Sequence, residues 1–149
     1  MRRIGRGSLI VALSGVMCLA ACAESAPPGS DVQVEDAWVR AVVGPNANTA
    51  AYMVLRNAGS APGRLTGAQS DAARMTELHR TTIDEAGLAR MGHVEALDVP
   101  AGGVVTLEPG GYHLMLMGVG SLAVGDTVEI TLGLESADPL HVAAEVRAF

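Results

Sequence analysis

The chain has 149 residues, of which 10 are basic and 16 acidic, and every basic one is arginine. A length of this order gives one domain with room for one core. The net charge of −6 repels phosphate backbones, so nucleic acid is excluded as an expected partner.

The first stretch does not belong to the domain. Arg2, Arg3 and Arg6 precede an apolar run from Leu9 to Ala21 that is too short to span a membrane. It ends in Leu19-Ala20-Ala21-Cys22, which resembles a bacterial lipobox. The expectation is a lipoprotein signal peptide over residues 1–21 and a lipid on Cys22, so that the protein is membrane-anchored outside the cytoplasm. The competing reading is an ordinary secretory signal cut nearby. Arg2-Arg3 is a fragment of a twin-arginine motif whose remainder is missing. Without the leader, seven basic residues face sixteen acidic ones, a balance of −9.

The two cysteines are Cys18, inside the leader, and Cys22. The mature domain therefore holds neither a free thiol nor a disulfide. A blue-copper electron carrier, a thiol oxidoreductase and a cysteine-based zinc site are all excluded.

Residues 22–31, rich in small residues and proline, read as a flexible tether. The domain is expected over residues 32–149. Alternating or apolar runs occur at Val32–Arg40, Ala50–Arg56, Arg64–Ala68, Met75–Thr81, Leu88–Leu97, Val104–Glu108, Tyr112–Met117, Thr127–Glu135 and Leu140–Phe149. Turn residues separate them, with Asp84–Gly87 forming a hairpin connection. Nine short strands so spaced predict an all-β sandwich. Ser70–Glu77 is the only helix-like stretch, one turn at most. Trp38 and Tyr52 are candidate core residues.

Chemistry concentrates between His79 and Met115. His79, Met91, His113 and Met115 carry borderline or soft lone pairs. His113 and Met115 are two apart, so on a strand they share a face, away from Leu114 and Leu116. Imidazoles with thioethers and no thiolate suit Cu(I) better than zinc, magnesium or calcium. Each residue alone has a plainer role. Methionine usually fills cores, and a single histidine is usually a surface or hydrogen-bonded group. Met117 shares the His113 face and is placed in the core. His93 shares the Met91 face, as auxiliary ligand or plain surface residue. Glu77 shares the His79 face, as imidazole acceptor or solvated carboxylate. His141 is read as structural, and Arg80 as solvated.

The spacing His79-x11-Met91-x21-His113-x-Met115 resembles the signature of the periplasmic copper chaperones of the PCu(A)C family. The resemblance extends to Trp38–Arg40, Ala50–Asn57, Glu77–His79, Pro100–Gly103, Pro109–Gly118 and Gly125-Asp126. Arg80 stands where some members carry a further methionine. The resemblance implies a cupredoxin-like Greek-key β-sandwich, with His79, Met91, His113 and Met115 as ligands of Cu(I). It also implies delivery of copper for the Cu(A) centre of cytochrome c oxidase. The partners implied are oxidase subunit II or a thiol-bearing copper chaperone. An envelope lipoprotein that only sequesters copper is the alternative. No HExxH, Gly-x-Ser-x-Gly or paired catalytic carboxylates occur, so an enzyme is not expected.

Overall fold

Alternation of the kind seen in Thr127–Leu134 and Leu140–Arg147 builds strands with one apolar face. The computed structural model describes residues 29–149. The leader, Cys22 and most of the tether lie outside the described residues. Ten strands follow in order: β1 (Val32–Arg40), β2 (Ala47–Asn57), β3 (Gly63–Gln69), β4 (Met75–Ile83) and β5 (Ala89–His93), then β6 (Leu97–Val99), β7 (Val104–Leu107), β8 (Tyr112–Val119), β9 (Thr127–Leu134) and β10 (Leu140–Arg147). Their spatial order is β5-β4-β8-β7-β2-β1-β10-β9-β3-β6, with β8 also pairing directly with β2. Strands β5 to β1 of that order form one layer and β10 to β6 the other. The parallel pairing of β1 with β10 joins them. Insertion of β8 between β4 and β2 is the out-of-sequence connectivity anticipated for a Greek-key sandwich.

The interior is aliphatic. Ala51, Met53 and Leu55 of β2, Leu78 of β4, and Leu114 and Leu116 of β8 point inward from one layer. Val128, Ile130 and Leu132 of β9 and Val142, Ala144 and Val146 of β10 meet them from the other. Burying each large side chain contributes about 1.5–3 kcal/mol. None of His79, Met91, His113 and Met115 belongs to this cluster.

Two sequence expectations change. The run Leu88–Leu97 is not one strand but two, β5 and β6, at opposite ends of the strand order. The Val94 N–H bonds the Leu78 carbonyl at 2.9 Å, and beyond it the chain leaves β4 to pair with β3. The Ser70–Glu77 stretch contains no helical turn. A turn at residues 71–72 leads straight into β4. The Ser70 hydroxyl anchors it by donating to the Glu129 carbonyl and accepting from the Ala72 N–H.

Two polar devices fix the connections. Asp84 closes the β4–β5 hairpin, its carboxylate accepting from the Ala86 and Leu88 N–H groups and from Arg90. Those donors hold its carboxyl below the usual range. Gly87 completes the turn at φ 77°, where a side chain would be strained. At the far end of β2, Asn57 is 1% exposed and fully engaged. Its amide donates to the Ala61 and Val99 carbonyls and accepts from the Asp31 and Gly59 N–H groups.

Candidate metal centre

The hairpin and the β4–β8 pairing place the chemistry on the outward face of the sheet. Register pairs His79 with His93 across β4–β5, and with His113 across β4–β8. Paired residues share a face, so all three imidazoles point away from Leu78 and the core. Tyr52 and Trp38, paired across β2–β1, continue the line. Five rings therefore cross the sheet in one row. Successive centroid separations are 6.0 Å for His93–His79, 5.9 Å for His79–His113, 6.4 Å for His113–Tyr52 and 4.6 Å for Tyr52–Trp38. Tyr52 is buried, as expected of a core residue, and Trp38 is half-buried against it; both are also neighbours of the site. Burial raises the Tyr52 phenol, which Arg40 partly offsets.

Hydrogen bonding sets the tautomer of each central histidine. The His113 Nδ1 lies 3.1 Å from the Gly111 carbonyl, which can only accept, so Nδ1 carries the proton. The Nε2 lone pair is left free, buried and without a partner. At His79 the roles reverse. Its Nε2 lies 2.9 Å from a Glu77 carboxylate oxygen and donates to it. Its Nδ1 is then the buried nitrogen without a partner. An unmatched buried acceptor costs about 1–3 kcal/mol. Here two sit on adjacent rings whose spacing suits a shared ion. With metal–nitrogen distances of about 2.0 Å, two imidazoles on one ion have centroids roughly 5–6.3 Å apart.

The thioethers approach from both sides. Met115 lies on the His113 face of β8, opposite Glu77 of β4. Met91, 53% exposed, lies on β5 opposite Thr81. Met91, Met115 and His113 all line one surface cavity of 360 Å³, with Thr81, Tyr52 and Arg40 in its wall. His79 borders that cavity through His113 but is not in its lining. Among the described residues no three His, Cys, Asp or Glu side chains converge on one point. Two nitrogens with two sulfurs make a neutral donor set that fits Cu(I). Burial lowers the His113 pKa first, and the nearby His79 lowers it further, against the Gly111 bond. The ring is therefore held neutral, as a ligand must be.

One other sequence reading is revised, and several are decided. Met117 is not a core residue. It is half-buried on the same outward face, opposite Met75, which is 53% exposed. Of the two readings of Glu77, the hydrogen bond to His79 is the one present. Arg80 is exposed and sits over the Tyr112 ring at 5.0 Å, on the other face. His141 is exposed and bonded to Thr131 at 3.2 Å. The place of Tyr52 beside the site was missed because its alternation reads like that of any buried strand residue.

A family model for LpqE-like lipoproteins matches residues 32–146. The chain belongs to the LpqE-like family. A relative named "Putative lipoprotein Lxx21020", from Leifsonia xyli subsp. xyli, is 32% identical over 99% of this chain and 92% of its own. Solved structures resembling this LpqE-like chain are PCuAC domains and their kin. The copper-bound PCuAC domain from PmoF2 superposes with a TM-score of 0.66 at 28% identity, covering 83% of this chain and 97% of that one. The apo solution structure of DR1885 from Deinococcus radiodurans gives 0.59 at 37% identity, covering 97% of both chains. Its CuI form gives 0.58 at 37% identity, covering 85% of this chain and 83% of that one. These matches agree with the PCu(A)C resemblance and with the β-sandwich.

Proposed function

We propose that this chain is a non-enzymatic copper carrier that holds Cu(I) between His79, Met91, His113 and Met115. The observation that carries the reading is the pair of buried, unmatched lone pairs on adjacent rings, His79 Nδ1 and His113 Nε2. Similar domains solved with copper, one of them as CuI, support it. The His79 and His113 nitrogens fix the ion's place. The Met91 and Met115 sulfurs select Cu(I) over zinc and remain exchangeable, so the ion can pass to a stronger thiolate-bearing acceptor. Glu77 and the Gly111 carbonyl hold each imidazole in its donating tautomer.

In this proposal copper goes toward the Cu(A) centre of cytochrome c oxidase, through oxidase subunit II or a thiol-bearing chaperone. Deleting the gene should then lower oxidase activity, and wild-type protein should restore it. A strain with normal oxidase but heightened copper sensitivity would instead mark a sequestering role. The relative's description as a lipoprotein supports an envelope lipoprotein here too. We place its anchor on Cys22. Cys22→Ser should release the protein or block its processing, and recovery of the wild-type protein entirely in the soluble envelope fraction would contradict the anchor.

A further inference from the structure

One ring in the row remains without a role in the four-residue set. His93 is exposed and ends β5, the outermost strand on its side of the sheet. It lies directly opposite His79, whereas Met91 is two pairs further along on the same face, opposite Thr81. The His93–His79 centroid separation of 6.0 Å nearly equals the 5.9 Å of His79–His113, and its rings are edge-on at 89°. Either pair is spaced for one shared ion.

The three imidazoles do not merge into one centre, since among the described residues no three such groups converge. His79 also has a single lone pair to give, on Nδ1, because its Nε2–H is engaged by Glu77. It can therefore serve one neighbour or the other, not both. The donor sets differ as well. On the inner side His113 and Met115 line one cavity, whereas His93, on the outer side, is exposed and solvent can complete a position there. Nitrogen and oxygen donors suit Cu(II), and thioethers suit Cu(I).

We propose that His93 and His79 form a second, solvent-exposed copper position selective for Cu(II), which excludes filling of the inner Cu(I) position because both use His79. The proposal takes the inner site from the function proposed above. In it, the chain accepts copper of either oxidation state, one ion at a time, and no change of oxidation state on the protein is required.

The test uses the full-length chain in detergent with Cys18→Ser and Cys22→Ser, so that no thiol competes. Cu(II) alone and Cu(I) alone are titrated against competing chelators. Electron paramagnetic resonance counts the nitrogens on Cu(II). His93→Asn should weaken Cu(II) about tenfold or more, on the scale of lost metal-site contacts, and remove nitrogen hyperfine lines. Its Cu(I) affinity should stay unchanged, and its melting curve should match the parent. Met115→Ala should show the opposite selectivity. Protein preloaded with Cu(I) should give no outer-position Cu(II) spectrum. The proposal is overturned if His93→Asn leaves Cu(II) binding unchanged, or weakens both ions equally. It is overturned too if His141→Asn, on an exposed histidine elsewhere, costs as much Cu(II) affinity. Should Met115→Ala leave Cu(I) binding intact, the inner-site reading fails, while the His93 effect on Cu(II) is still read separately.

Discussion

Glu77 gives the sharpest check on how the site is held. It touches no ion in this account, and acts only by accepting the His79 Nε2–H at 2.9 Å. The imidazole is 15% exposed and the carboxylate 34%, so solvent screens the bond only in part. A hydrogen bond to a charged acceptor contributes about 1.5–3 kcal/mol, and partial exposure brings the expected value to the lower end. Glu77→Ala frees His79 to rotate or to protonate Nδ1, which removes the lone pair. The expected loss is about tenfold in Cu(I) affinity, the lower bound for partners that orient a ligand. Glu77→Gln keeps an acceptor oxygen in place and should lose less. Competition with a Cu(I)-specific chelator at fixed pH reads both variants, and thermal melting confirms that each is folded. Loss of the same size in Gln and Ala would show that charge matters and orientation does not. No loss in either would refute the orienting role.

Two further outcomes concern the stability of the domain. Asn57→Ala removes four hydrogen bonds around a buried side chain, at about 1 kcal/mol each. Allowing for solvent reaching some partners, chemical denaturation should show a loss of about 3 kcal/mol, and a loss below about 1 kcal/mol would contradict the network. His113 is held neutral, its pKa lowered first by burial. The folded form thus resists a proton that the unfolded chain accepts near ~6.5. Stability of the metal-free protein from this group is complete above that value, and is lost as pH falls through the depressed folded pKa. His113→Gln should flatten that part of the stability–pH curve, and an unchanged slope would place the titration elsewhere.

Much of this was legible in the chain because period-two alternation survives folding. Strands β9 and β10 alternate in sequence as they do in burial, whereas β8 is apolar almost throughout. The Asp84–Gly87 hairpin was legible because its turn residues have few other uses. The split between β5 and β6 was hidden because no glycine or proline marks residues 94–96. The choice there is made by the Leu78 carbonyl, a tertiary partner. The site shows the same division. Two-residue spacing put His113 and Met115 on one face, but the register that sets His79 between His93 and His113 depends on three strands at once. Met117 was misplaced for a related reason. Its neighbours Leu116 and Val119 are buried, yet its own face looks outward beside Met75.

The central claim is that specific thioethers, and not methionines in general, hold Cu(I). The measurement is the Cu(I) affinity of Met91→Ala, Met115→Ala and Met117→Ala in the thiol-free chain, with Zn(II) titrated beside each. The account predicts that the first two lose about tenfold or more for Cu(I) and little for Zn(II), while Met117→Ala matches the parent, all three remaining folded. Equal and negligible losses for Met115→Ala and Met117→Ala would mean that the β8 methionines only pack, and the proposed centre would be wrong.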